Sequence, residues 1–256
     1  MMILARALTI LASVSVMGAA SPPDAGQPPA QALPSPPRPR SAKVILADSI
    51  AATGGAAAWR AHKTVHLELT VGLQGMGMGG PAEHFQTRTN KSLTVTTMPG
   101  VGEIREGSDG KRLWTKDPVS GLRFLTGAEA EQARIEASWN ADIQATALYK
   151  KIETAADPPA GQECLTLTPR LGPAIRNCYD AGTHLQVSQE GTRTTAQGDV
   201  PFQSKISDWR LVGGIKIPYV TETQAGPVTI VTTVTDVAFD EPMSNKMFRP
   251  PARPAH

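Results

Sequence analysis

Glu103-Ile-Arg-Glu-Gly-Ser-Asp-Gly-Lys-Arg-Leu-Trp114, then Thr115-Lys-Asp-Pro-Val-Ser-Gly-Leu-Arg-Phe-Leu125 and Thr126-Gly-Ala-Glu-Ala-Glu-Gln132, form the stretch around which the chain is organised. Asp109-Gly110 predicts a two-residue type I′ hairpin, because glycine accepts the positive φ that such a turn needs. Asp117-Pro118 and Ser120-Gly121 predict a second reversal before Leu122-Arg-Phe-Leu125. Thr126-x-x-Glu129 has the form of a capping box, so a helix is expected to begin there. Three short strands run directly into a helix that must fold back over them. The expectation is a mainly β (α+β) chain, with a curved antiparallel sheet under a helical cover.

The address precedes the fold. In this 256-residue chain, residues 1–20 read as a secretory signal peptide. Arg6 supplies the positive end, Ala7 to Val16 the apolar core, and Met17-Gly-Ala-Ala20 a small-residue cleavage site. The apolar run is too short to span a bilayer, and the lack of a nearby Cys argues against a lipid anchor. Residues 21–41 are dense in Pro and cannot build a core, which predicts an extended tether. Residues 42–250 are expected to form one domain and 251–256 a tail. Removing the leader takes away Arg6 and no acid, so the formal charge of +2 falls to +1. That balance argues against a nucleic-acid partner, which calls for a clustered basic face. A soluble, exported mature chain follows as the expectation, and it is expected to be monomeric.

Along the domain, Ala42 to Lys63 favours helix but is interrupted at Gly54-Gly55, predicting two short helices with Val44, Leu46, Ile50 and Trp59 inward. Val65-His-Leu-Glu-Leu-Thr-Val-Gly-Leu73 alternates apolar with mostly polar residues and is the clearest strand. Gly75 to Pro81 reads as a flexible connection, with strands at Phe85–Asn90 and Leu93–Met98. A helix from about Gly127 to Leu148 would place Ile135, Trp139, Ile143 and Ala147 on one face. Cys164-Leu-Thr-Leu-Thr168 and Ile175-Arg-Asn-Cys-Tyr179 flank Leu171-Gly172-Pro173. If the turn centres on Leu171, Cys164 and Cys178 fall opposite each other. Two cysteines across a hairpin in an exported chain predict a disulfide, with Leu165, Leu167, Ile175 and Tyr179 on the other face. Further strands are expected at Leu185–Gln189, Ile206–Leu211, Ile215–Glu222 and Val228–Val237. Gly213-Gly214 should join two of them, and Phe248 should dock over an open end of the sheet.

This order resembles the LolA/LolB-like group of periplasmic lipoprotein carriers. The resemblance spans about Ala42 to Pro250. It rests on the opening helix with its Gly-Gly break, Gly107-Ser-Asp-Gly-Lys-Arg-Leu-Trp114, Asp208-Trp-Arg…Gly214-Ile-Lys-Ile-Pro218, and the closing Phe248-x-Pro. It implies an incomplete antiparallel barrel, helices over its concave side, and a hydrophobic cavity between them that takes acyl chains. The Pro-rich stretch and the cysteine hairpin depart from LolA, and the missing lipid-attachment Cys departs from the anchored LolB-type acceptor.

Physical reasoning reaches a similar site. A curved sheet has a wide concave face, and small Ala-rich helices need not fill it. Leu67, Leu69, Val71, Leu73, Met76, Met78, Trp114, Phe124, Ile135, Trp139 and Ile143 are the candidate lining. A filled core made of the same residues is the alternative. Met76 and Met78 read as a hairpin tip, as a hydrophobic lid, or, with His84, as a soft Cu(I) site. No nucleophile elbow, His-Glu-x-x-His, phosphate loop or dinucleotide fingerprint occurs. His62 and His66 are four apart, but Lys63 stands where a zincin needs Glu. No cofactor, metal or catalytic activity is expected. The expected partner is a lipid or acylated protein. The competing class is a cargo-free module docking on an envelope protein.

Overall fold

The computed structural model describes residues 40–252. The expected leader, all but two residues of the expected tether, and the last four residues of the tail lie outside them.

The described residues build one antiparallel sheet of thirteen strands. Its first half is β1 (Thr64–Leu73), β2 (Met78–Thr87), β3 (Ser92–Met98), β4 (Gly102–Ser108), β5 (Leu113–Asp117) and β6 (Gly121–Phe124). Its second half is β7 (Tyr149–Thr154), β8 (Gln162–Pro169), β9 (Ile175–Asp180), β10 (Gln186–Thr195), β11 (Gly198–Val212), β12 (Ile215–Ala225) and β13 (Val228–Phe239). The spatial order is β6-β5-β4-β3-β2-β1-β13-β12-β11-β10-β9-β8-β7. Each half is a meander, the two meet at β1 and β13, and β6 and β7 are the edge strands among the described residues. Helices α1 (Ala42–Ala52) and α2 (Gly55–Ala61) precede the sheet, while α3 (Gly127–Glu136) and α4 (Ala145–Leu148) carry the chain from one edge to the other.

The helices cover the concave face of an open, curved sheet, as the sequence predicts. The curvature follows from α3, which touches both β5 and β10. Those strands stand eight steps apart in the sheet, about 38 Å if it were flat. A ten-residue helix is only about 15 Å long, so the sheet must bend until its two walls meet the same helix. Side chains fasten α3 to both. Arg123 of β6 donates to both carboxylate oxygens of Glu129 at 2.6 and 2.7 Å. On the other wall, Gln132 bonds the backbone of Thr192 and Thr194, and Arg193 pairs with Glu136 at 2.9 Å.

The alternation read in β1 is realised: Val65, Leu67, Leu69, Val71 and Leu73 all point under the helices and are buried. The break between α1 and α2 falls at Gly54, whose φ is 108°. A Cβ there would lie 2.2 Å from the carbonyl oxygen of Gly214, so only glycine lets this elbow rest on the β11–β12 turn. Cys164 and Cys178 face each other in the β8–β9 register and form a disulfide. Leu165, Leu167, Ile175 and Tyr179 pack together on the other side of that hairpin.

Several expectations are corrected. The helix expected over 127–148 stops at Glu136 and resumes only at Ala145. Ser138 Oγ bonds the carbonyl of Arg134, the Trp139 amide turns to Asn90 Oδ1, and Asn140 Oδ1 accepts the Ile143 amide. Those side-chain bonds replace the helical ladder. The capping box does not form, since Thr126 makes no capping bond and Glu129 is taken by Arg123. Asp109-Gly110 is not a type I′ turn, because only Gly110 has positive φ. Instead Asp109 Oδ1 accepts the amides of Lys111 and Arg112. Gly79 to Pro81 belong to β2 rather than to a loop. In α1, Ile45 and Ser49 are buried, while Val44 is exposed.

Candidate functional site

The centre of the concave face is a continuous apolar strip. It joins Leu67, Leu69, Val71 and Leu73 of β1 to Ile230 and Val234 of β13 and to Ile215, Ile217 and Tyr219 of β12. Strand register explains this: Leu67 faces Val237, Leu69 faces Val234 and Leu73 faces Ile230, so their side chains share one face. Trp59 of α2 and Trp139 of the 137–144 segment lie over the strip, with Ile143 partly buried beside them. The two indoles meet edge to face with centroids 5.7 Å apart, and Trp139 Nε1 donates to the carbonyl of Trp59 at 3.1 Å. Trp59 Nε1 has no hydrogen-bond partner among the described residues.

Polar bonds at its margins also tie this cover to the sheet. Gln86 of β2, fully buried, donates from Nε2 to the carbonyls of Ala137 and Ser138, both at 3.0 Å. Asn90 Oδ1 receives the Trp139 amide at 2.9 Å, and the Lys216 amide reaches the Thr53 carbonyl at 3.1 Å. Flanking the strip, the face becomes polar: Ser204 and Thr223 share a 2.9 Å bond, and Gln189 donates to Asn177. Tyr149 and Tyr179 lie nearby, and burial pushes both phenols well above their ordinary value, with the charge of Asp142 adding to it. They stay neutral. The arrangement offers an apolar surface with hydroxyl and amide margins.

The eleven residues nominated from sequence divide. Leu67, Leu69, Val71, Leu73, Met78, Trp139 and Ile143 share the central cluster. Ile135 lies in the neighbouring cluster with Ile45, Tyr149 and Leu165. Met76 sits at an exposed turn. Leu113 packs against Ala130 and Ala133 of α3, so its neighbour Trp114, and Phe124 opposite it in the β5–β6 register, lie on the sheet face away from the helices. Trp114 packs there against Leu93 and Phe248. Phe248 therefore docks on this outer face rather than over an open end, and Trp114 Nε1 donates to its carbonyl at 3.2 Å. The copper reading also goes. Met78 and His84 lie six residues apart on one strand, about 20 Å, and His84 Nδ1 is bonded to Thr94 Oγ1.

Leu67 is wholly buried, and Leu69, Val71, Leu73 and Trp139 are each at most 7% exposed. Two open depressions, of about 630 and 500 Å³, are lined by none of the eleven nominated residues. The strip is thus in direct contact with its cover.

No family model and no curated protein sequence matches the chain. Solved structures do. A DUF1329 family protein from Desulfovibrio piger superposes with a TM-score of 0.57 at 9% identity, covering 81% of this chain and 97% of that one. A LolA superfamily protein from Nitrosomonas europaea gives 0.56 at 14% identity, covering 82% and 98%. A domain described as an outer membrane lipoprotein-sorting protein, from Vibrio parahaemolyticus, gives 0.54 at 10%, covering 81% and 95%.

The chain shares its fold with these LolA-like structures.

Within this LolA-like sheet, sequence reasoning overlooked Met98, Ile215, Ile217, Tyr219, Ile230 and Val234 as site residues. The Ile215-Lys-Ile-Pro-Tyr219 alternation carried the signal for three of them. No described helix is long and apolar enough to cross a membrane.

Proposed function

We propose that this LolA-like protein is an exported, non-catalytic carrier that takes the acyl chain of a lipid or lipidated protein between its helical layer and the β1-β13-β12 strip. The observation that carries the reading is that uninterrupted strip, closed by a cover of short helices and a non-helical segment bearing Trp139. The cover rests on the strip through apolar contact, so parting the two exposes a continuous greasy surface. Each methylene buried there contributes about 0.8 kcal/mol. A chain of a dozen methylenes gains about 10 kcal/mol, which offsets the loss of the Trp59 and Trp139 contacts and the ordering of the ligand. The fold neighbours, one described as a lipoprotein-sorting domain, support the same class. The leader-like start of the chain supports export.

Closure of the strip in the present structure favours a second reading, in which the domain docks on an envelope protein without cargo. The two differ in what the protein contains. Native mass spectrometry and organic-solvent extraction of protein purified from a lipid-containing host should reveal a fatty acid or phospholipid bound at one per chain. An empty protein that also fails to take up added fatty acid ends the carrier reading and leaves the docking module.

A further inference from the structure

The smaller depression, about 500 Å³, is lined by Lys91, Asp109, Lys111, Arg112, Asn245 and Arg249. Lys91 comes from the β2–β3 turn, residues 109–112 from the β4–β5 turn, and Asn245 and Arg249 from the segment that follows β13. Asp109 is the acid among these six, and its carboxylate is already committed. Oδ1 accepts the Lys111 and Arg112 amides at 3.0 and 2.8 Å, and Oδ2 accepts Arg112 Nε at 3.0 Å. Burial acts to raise this carboxyl, but those bonds and the Arg112 charge outweigh it and hold the group below the usual range. Lys91 Nζ donates to Asn245 Oδ1 at 2.7 Å, a neutral acceptor that leaves its charge uncompensated. Lys111 and Arg249 have no ion-pair partner among the described residues.

Three positive charges therefore converge on one concavity, with Arg112 beside them, in a chain whose formal charge is only +2. Converging like charges are costly unless an anion sits among them, and a concave wall concentrates their field. We propose that this pocket binds a phosphate group. Ammonium groups act as point charges, while a guanidinium matches two oxygens of one phosphate at once. Donors arriving from three separate segments suit a tetrahedral anion, whose oxygens point in several directions, better than a flat carboxylate. A phospholipid headgroup and a soluble phosphate ester share this chemistry. The site stands whether or not an acyl chain enters the concave face.

The test titrates the full chain with sodium phosphate against sodium chloride at equal ionic strength, reading the backbone amides of residues 109–112 by NMR. Phosphate-specific shifts are expected there. Lys111→Glu/Arg249→Glu should weaken binding about tenfold or more. Lys205→Glu, exposed on β11 and away from the pocket, should leave it unchanged. Co-flotation with phosphatidylglycerol vesicles but not phosphatidylcholine vesicles, competed by free phosphate, assigns the site to a lipid headgroup. Phosphate binding without vesicle capture assigns it to a soluble phosphate ester. No phosphate-specific shift in the turn, or equal weakening by Lys205→Glu, overturns the proposal.

Discussion

At His62, which follows α2, two acceptors face one imidazole. Nδ1 lies 2.7 Å from Asp240 Oδ2 and Nε2 lies 2.8 Å from the carbonyl of Gly213, with the ring stacked on Phe239. A carboxylate and a carbonyl only accept, so satisfying both requires protons on both ring nitrogens. Burial pulls the pKa of His62 down, but the Gly213 bond, the Asp240 bond and the Asp240 charge together outweigh it and raise it above 6.5. The stabilisation is therefore complete below the unfolded value of about 6.5 and is lost as pH rises through the higher folded value. Denaturant melts from pH 5.5 to 9 should show stability falling across that window in the parent and much less in His62→Gln. Parallel curves would contradict the assignment. Gly54 makes a second prediction at this scale. A Cβ would collide with the Gly214 carbonyl and would have to adopt positive φ, so Gly54→Ala should destabilise by about 2 kcal/mol or more. The sequence marked this site as a helix break. It could not disclose that the β11–β12 turn occupies the missing Cβ position, because that contact joins residues 160 apart.

Among elements, strands were legible where one face is buried and the other solvated, as in β1. The face a side chain takes was obscured where both faces are covered. Trp114 and Phe124 have the apolar character of concave-face residues, yet they lie on the outer face, where Phe248 and partly buried Met243 and Met247 join the cluster containing Trp114. Local spacing cannot assign a face when a distant segment covers the second one. The interrupted 127–148 helix is a related case. Its four-residue apolar period continues through Trp139 and Ile143, but bonds from Ser138, Asn140 and Asn90 outcompete the helical ladder. In β2, Gly79-Gly80-Pro81 looked like a loop. The glycines are instead required by close strands, since a Cβ on Gly80 would sit 1.9 Å from the Thr97 carbonyl oxygen. Two predictions belong here. The Cys164–Cys178 bridge spans 14 residues, so Cys164→Ala/Cys178→Ala should lose about 3 kcal/mol by loop-closure entropy. Differential scanning calorimetry should find a melting temperature lower by roughly 10 °C for a domain of this size. Gln132 joins α3 to the β10 wall through two bonds. Gln132→Ala should raise the hydrogen-exchange rate of the α3 amides while leaving β1 and β13 protected. Equal loosening of β1 would mean that the helix and the sheet open only as one unit.

For the whole molecule, topology explains why the concave face can both close and open. The sheet halves meet at β1 and β13, and their edge strands are linked by the chain that crosses the concavity through α3 and α4. The strip beneath is part of a continuous hydrogen-bonded sheet, whereas the cover is two short helices and a non-helical segment. Opening is therefore expected to cost less on the helical side. The architecture was readable from the order of hairpins and helices. The closed contact between cover and strip was not, because apolar periodicity reports which side is buried and not what fills it. The four tryptophans provide the most direct measurement of whether an acyl chain enters there. Trp59 and Trp139 lie over the strip, Trp114 is on the outer face, and Trp209 on β11 bonds the Gln186 carbonyl. A fatty acid brominated along its chain should quench the parent's fluorescence saturably, and Trp59→Phe/Trp139→Phe should bind the acid while losing most of that quenching. Quenching that survives in the double variant, or none at all in the parent, would contradict entry of the chain between helices and sheet.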